Sequence, residues 1–447
     1  MYTNTMSTTS TVTPINKSEN IINSHFTSKS LYGRDVVLIN PFIGGNGDHV
    51  LANKIANIAL NEGCRVTISS VDANEPKKII LRNLSMRDNV VHTIGELYNP
   101  IFVVAPLDIF NSTYLVDHIN QLCDKYQFPK HDIVLIEEMD LLCSKNKGLS
   151  HYETVIDGIG FERISAYNLG FGVDSIGYLP TDTGTKDAIK ARFKGELLKL
   201  IDSNNMSLAQ DSHYHLAYIS SKLMITGMQV FIANTLSETM TEDKDHNYIM
   251  VMRQLNSEVK HKLPTALKDI LELKNDQFDL LGLFAKATLF FANPDNGNLT
   301  RSIEITGQGK AKINVVITQS LPHPIFEDFM CLSHSGMASG DQSLGEFLSL
   351  TGKMPYYDTQ TWKYPLAQAI MNMGGAELQQ YIAQKIVGVK PVSAEIFYQL
   401  AANQNQPEPS PEIHSQQDEL DRKLSSRTAT EVIRKHFMAR KNTLSRA

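Results

Sequence analysis

Short, continuous apolar runs alternate with helix-patterned stretches along this chain, and that recurrence restricts its folds more than any other feature. Val36-Val37-Leu38-Ile39 has no polar alternation, as expected of a parallel strand covered on both faces. Residues 65–69, 101–105 and 133–136 repeat the pattern early in the chain, and residues 215–219, 248–252, 287–291 and 313–317 repeat it later. Between them, apolar residues return at helical spacing from Val50 to Leu60, with Gly63 as the stop, and a second helix reads from Glu258 to Leu273. Strands alternating with helices mean doubly wound sheets. At 447 residues the chain has room for two, at roughly 100–200 residues per domain. The expected fold class is α/β, with two facing Rossmann-like domains, a flexible leader and a C-terminal helical tail.

Boundaries follow from composition. Residues 1–33 are rich in Ser, Thr and Asn and read as the leader. An N-terminal domain over 34–210 ends in the polar break around Asp202-Ser203-Asn204-Asn205 and Asp211-Ser212. A second domain runs over 211–400. Residues 401–447 hold a linker, Asn403 to Gln417, and a helix that ends basic with Arg434, Lys435, Arg440, Lys441 and Arg446. That tail reads either as a solvated helix or as a contact for a partner, a membrane or export machinery.

Several classes of function are disfavoured. A formal charge of −6 lacks the basic footprint of a general nucleic-acid binder. No run approaches the ~18 apolar residues of a membrane span. The first thirty residues have no apolar core of a signal peptide, so the expected location is cytoplasmic, or secreted by a route without a classical signal. Cys64, Cys123, Cys143 and Cys331 are scattered, which suits buried thiols and not a zinc site.

Chemistry concentrates in two turns. Gly336-Met-Ala-Ser-Gly-Asp-Gln-Ser-Leu-Gly-Glu346 leads into an apolar helix. A helix start leaves backbone N–H groups unpaired at the positive end of the dipole, which suits phosphate. Ser339, Gly340, Gln342 and Ser343 can offer N–H and hydroxyl groups there, and Asp341 or Glu346 can hold a sugar hydroxyl. A capped helix accounts for the same polar residues. After the first strand come Gly44, Gly45, Asn46 and Gly47, where backbone can approach a ligand closely. Asp48 then serves as a general base, as a helix N-cap, or as both, and His49 is a second base candidate. The dinucleotide fingerprint is incomplete, because Val50 stands where its last glycine belongs. His323, fixed between Pro322 and Pro324, and Arg253, at a strand end, are candidates for contacting a nucleotide. Asp243-Lys244-Asp245 has the spacing of a metal-binding pair but loop composition around it.

Taken in order, Gly44-Gly45-Asn46-Gly47-Asp48, Leu321-Pro322-His323, Gly340-Asp341-Gln342-Ser343-Leu344 and Gly352-Lys353-Met354-Pro355-Tyr356-Tyr357-Asp358 resemble GT-B glycosyltransferases. The series is most similar to GT-B-like secreted effectors of intracellular bacteria, and more distantly to protein-arginine rhamnosyltransferases. The resemblance implies a nucleotide sugar held by Gly340, Asp341, Gln342, Ser343 and Glu346, with the acceptor base at Asp48. The acceptor could be protein, lipid or glycan; no cofactor beyond the donor and no metal is implied. The 336–346 turn has no arginine or lysine, so the charge to neutralise a pyrophosphate has to come from elsewhere. A silent nucleotide-sugar or partner binder and an NAD-dependent or epimerase-like enzyme are the other readings.

Overall fold

The computed structural model describes residues 34–42, 47–72, 79–84, 100–107, 112–140, 157–181, 212–239, 243–275, 278–293, 298–360, 363–375, 378, 385–387 and 411–438. Six strands form the first sheet: β1 (Val36–Phe42), β2 (Val66–Asp72), β3 (Ile79–Leu84), β4 (Ile101–Val104), β5 (Asp132–Glu137) and β6 (Arg163–Asn168). Their spatial order is β3-β2-β1-β4-β5-β6, and only the edge strand β3 is antiparallel to its neighbour. Helix α1 (Gly47–Asn61) connects β1 to β2, and α2 (Ser112–Tyr126) connects β4 to β5. The apolar run of β1 now has its reason. Val36 and Leu38 pack with Leu51 and Ile55 of α1, while Val37 and Ile39 pack with Leu115 and Ile119 of α2. Both faces of the sheet are covered, so the run from Val36 to Ile39 is apolar without alternation.

The second half repeats this plan on a wider sheet. Its elements are β7 (His213–Ile219), α3 (Met224–Glu238), β8 (His246–Met252), α4 (Ser257–Leu271), a small hairpin of β9 (Lys274–Asn275) and β10 (Phe278–Asp279), β11 (Phe284–Ala292), β12 (Leu299–Thr306) and β13 (Ala311–Thr318). Then follow α5 (His323–Leu332), β14 (Ser335–Ala338), α6 (Asp341–Thr351), β15 (Tyr356–Asp358), α7 (Tyr364–Gly374) and β16 (Ile386–Val387). The sheet order is β12-β11-β13-β8-β7-β14-β15-β16, with β12 antiparallel to β11. The fold is thus two Rossmann-like halves, as the alternation of strands and helices implied.

Each sheet reverses its winding once. The chain builds outward from β1 and returns to its other side with β4; it builds outward from β7 and returns with β14. Open α/β sheets bind ligands outside the carboxyl ends of their strands at such reversals. The turn after β1 and the turn after β14 both stand at one. The two carboxyl edges also meet, since the Met139 amide beyond β5 donates to Asp341 Oδ2 of α6 at 3.4 Å. One apolar cluster crosses the junction, holding Leu38 and Ile55 from the first half with Phe347 and Tyr357 from the second.

The C-terminal segment is not a solvated helix. Helix α8 (Pro411–Ser426) packs on α6, and α9 (Thr430–Met438) packs back on α1. Leu420, Leu424, Ile433 and Phe437 are buried in the shared core. The helix therefore starts inside the stretch expected to be linker. Arg434, taken as part of the basic end, pairs with Glu62 just past α1 at 3.3 Å; Arg440, Lys441 and Arg446 lie outside the described residues.

Between α8 and α9, the Arg427 guanidinium donates to the carbonyls of Phe171, Gly172 and Ser175 at 3.0, 2.5 and 2.8 Å. The buried Asp140 carboxylate takes the Phe171 and Gly172 amides and the Ser175 hydroxyl of that same loop. The loop is thus held by a cation at its carbonyls and an anion at its amides. Arg427→Ala strands three carbonyls, and charged hydrogen bonds are worth about 1.5–3 kcal/mol each. We expect a loss of about 2–3 kcal/mol in denaturant unfolding; a change within about 0.5 kcal/mol, typical of a surface site, would mean the contacts carry no weight.

Among the described residues no helix is long and apolar enough to cross a membrane. Cys64, Cys123 and Cys331 are buried free thiols, and Cys143 lies outside the described residues.

Candidate functional site

Asn40 organises the first turn. It ends the apolar part of β1 and is fully buried. Its Nδ2 donates to the Ala105 carbonyl beyond β4 and to the Asp48 carbonyl in α1, both at 3.0 Å. These two acceptors fix the amide orientation, so Oδ1 must face donors. Ser70 Oγ of β2 donates to it at 3.2 Å, and His49 Nδ1 lies 2.8 Å away. His49 therefore carries its proton on Nδ1, which leaves the lone pair of the neutral ring on Nε2. Its ring leans on Phe42, with centroids 4.5 Å apart. One side chain ties β1, β2, β4 and α1 together and holds Asp48 and His49 at the carboxyl edge. Gly44, Gly45 and Asn46 lie outside the described residues; Gly47 is the first residue of α1.

Across the junction, the long Gly336–Glu346 turn is shorter than expected. Gly336, Met337 and Ala338 belong to β14, and α6 already starts at Asp341, which leaves only Ser339 and Gly340 between them. The β14 segment pairs with β7 on one side and β15 on the other, so backbone pairing overrides the turn-like composition. Gly340 is the N-cap residue and no side chain caps α6. Its first-turn amides therefore lack the side-chain acceptor that an Asp, Asn or Ser cap would bring. Gln342 lies against the start of α1: a Cβ added at Gly47 would sit 3.6 Å from Gln342 Cγ. The two helix N-termini, one per half, face each other.

Some of the sequence candidates here are engaged inside the protein. Ser339 Oγ is hydrogen-bonded to Asp358 of β15 and receives the Ser220 amide from the end of β7 at 2.8 Å. Ser343 Oγ donates back to the Gly340 carbonyl at 3.0 Å. Asp341 accepts from Lys363 Nζ at 2.7 Å. Glu346 is buried within α6, and its charge acts on Lys54 of α1. Arg253 lies exposed just past β8. His323 does not stand in a loop but opens α5, where Pro322 is the cap residue and Pro324 takes an early helical position that spares an amide lacking a partner anyway.

The cation beside this helix start is Lys363, just before α7. Its ammonium, 9% exposed, lies 2.6 Å from Glu138 Oε2 and 2.7 Å from Asp341 Oδ1. Glu138 follows β5 in the first half and Asp341 opens α6 in the second, so one lysine joins the two. Burial alone would lower the lysine pKa, but the Asp341 and Glu138 carboxylates outweigh it and raise it. Burial pushes the Glu138 carboxyl up to about 7, with Asp341 and Asp48 adding to the rise and Lys363 opposing it. The triad carries two carboxylates against one ammonium.

Beside it, Asp358 is 1% exposed. Burial raises its carboxyl pKa against hydrogen bonds from Ser339 and Ser221. Gln360 Nε2 donates to Ser220 Oγ at 2.7 Å and closes this second network. Asp243 pairs with Lys310, and Asp245 accepts the Lys312 amide. Both lie ahead of β8, at the amino edge of the sheet, far from the carboxyl edge where ligands of such folds bind. Among the described residues no group of three or more His, Cys, Asp or Glu could hold a metal ion.

Glu138, Lys363 and Asn40 were not among the residues picked from sequence. Glu138 had a visible sign, since Glu137-Glu138 follows an apolar strand directly. Lys363 and Asn40 had none: a single lysine between Trp362 and Tyr364, and an asparagine before Pro41.

No family model matches this sequence, and no curated protein matches it. Similar solved structures include UDP-forming α,α-trehalose-phosphate synthases. That of Burkholderia xenovorans, in complex with glucose-6-phosphate, is 11% identical, covers 91% of this chain and 99% of its own, and has a TM-score of 0.42. One from Burkholderia vietnamiensis is 11% identical over 92% and 98% with a TM-score of 0.43, and one from E. coli, described as bound with UDP-2-fluoro glucose, is 9% identical over 91% and 98% with 0.42. At that level the likeness is one of chain architecture only.

Proposed function

We propose that the chain is a glycosyltransferase that moves a sugar from a nucleotide-sugar donor to an acceptor at the junction of its two halves, without a metal. One observation carries this reading: the two winding reversals, each with a helix N-terminus, face one another across Gly47 and Gln342. A diphosphate suits the α6 end, where backbone amides have no side-chain cap. Sugar transfer needs a base toward the acceptor hydroxyl or amide. Asp48 and His49, held by Asn40 on the opposite side, supply it. Leaving-group charge is then met by the amides of α6 and the helix dipole.

The second reading is a silent nucleotide-sugar binder, favoured by the inward engagement of Ser339 and Asp341. Donor hydrolysis separates the two. With UDP-, GDP- and dTDP-sugars, the transferase reading expects slow, saturable release of nucleoside diphosphate that falls at least about a hundredfold in Asp48→Asn, the lower range for loss of a general base. Donor binding with no release in the wild type supports the silent binder. Turnover that depends on added NAD would point to an epimerase-like enzyme instead.

A further inference from the structure

We propose that Glu138 belongs to the donor site as a neutral acid: the diphosphate binds with uptake of one proton by the Glu138–Lys363–Asp341 triad. This rests on the donor site assigned to the N-terminus of α6, and it concerns how that site tolerates an anion.

The geometry is specific. Asp341 is the first residue of α6, so the triad sits at the helix end that would receive the diphosphate. The groups facing Glu138 come from four elements: Asp48 of α1, Asp341 of α6, Tyr357 of β15, and Lys363 ahead of α7. With both triad carboxylates ionised and Lys363 charged, the triad keeps one excess negative charge. A diphosphate brought beside it is repelled unless that charge is removed. Asp341 already accepts from Lys363 and from the Met139 amide, and stands at the positive end of a helix dipole. Glu138 is the better candidate. Lys363 Nζ donates to its Oε2, and its side chain is 26% exposed, open enough to exchange a proton with solvent.

Protonation changes the chemistry as well as the charge. A carboxylate only accepts hydrogen bonds, whereas a carboxylic acid can donate one. Protonated Glu138 can accept from Lys363 with one oxygen and donate its O–H to a phosphate oxygen with the other. The balance is simple: free protein with ionised Glu138, one proton from solvent and the diphosphate give the complex, with no covalent bond made or broken. Burial together with the Asp341 and Asp48 charges already biases Glu138 toward holding that proton near neutral pH.

The test is calorimetric titration of the full-length protein with UDP, GDP and dTDP between about pH 6 and pH 9, in buffers of different ionisation enthalpy. The wild type should take up close to one proton per diphosphate at the alkaline end, and its affinity should fall about tenfold per pH unit there. Glu138→Gln, a neutral near-isostere with an N–H to donate, should bind with no such fall and without the extra proton. The difference between the two proteins removes the titration of the nucleotide itself. Equal pH dependence and equal proton uptake in wild type and Glu138→Gln overturn this inference and leave the donor site standing. Absence of binding by the wild type to all three diphosphates at every pH overturns the donor site, and the inference with it. If Glu138→Gln does not fold, absence of proton uptake by the wild type at the alkaline end still overturns the inference.

Discussion

Lys363→Met should cost about 3–5 kcal/mol of folding stability, the range for removing one partner of a buried ion pair. The wild-type ammonium is nearly inaccessible and satisfies a carboxylate from each half. Without it, Glu138 and Asp341 face each other at the junction, with Asp48 near. The loss should depend on pH, and its sign follows from Glu138. Its carboxyl is raised from the ordinary 4.5 to about 7, so the folded state holds that proton more tightly than the unfolded chain. A group raised in this way erodes stability as pH climbs from 4.5 through about 7. Removing Lys363 strengthens the rise, so the variant should suffer most above neutrality and least at mildly acid pH, where Glu138 is neutral. Denaturant melts at several pH values measure this. A cost below about 1 kcal/mol, as for a surface pair, would show that Lys363 does not hold the halves together.

Gly336→Ala should be comparably damaging, for a different reason. An added Cβ would lie 2.0 Å from Phe347 Cε1 and 2.5 Å from its Cζ. That ring belongs to α6, is 1% exposed and sits in the core shared by both halves. The strand cannot step aside, because Gly336 is in register with Leu216 of β7 and its neighbours Met337 and Ala338 pair with β15. Overpacking typically costs about 1–3 kcal/mol, and a clash this close, with neither side free to yield, belongs at or above the top of that range. Phe347→Leu combined with Gly336→Ala should recover more than about 1 kcal/mol relative to the sum of the single changes, since the two sites share one space. Additive effects would mean that the ring is not the obstacle.

These two residues mark where sequence reading succeeds and where it stops. Gly336 stood inside the stretch that drew notice, but as part of a phosphate-binding turn. It is a glycine because an aromatic ring from the following helix occupies the place of its side chain. Lys363 drew no notice, yet its ammonium joins a carboxylate from each half. The C-terminal helix reads as solvated because its charge is conspicuous in sequence. The apolar positions Leu420, Leu424, Ile433 and Phe437 that dock it are spread over two short helices, and a stripe that thin does not announce which surface it covers.

What the sequence by itself determined is local: that the long apolar runs become strands buried on both faces, and that a helix follows each of the two glycine-containing turns. Apolar periodicity and turn chemistry act over a few residues and are written in order along the chain. Only the tertiary structure decided which of those segments meet. Asn40 with Ala105, Glu138 with Lys363, and Arg427 with Phe171 are separated by 65, 225 and 256 residues. A buried charge or amide is stabilised by whatever the fold brings within 3 Å of it, and that partner is set by sheet order and helix packing, not by its neighbours in sequence.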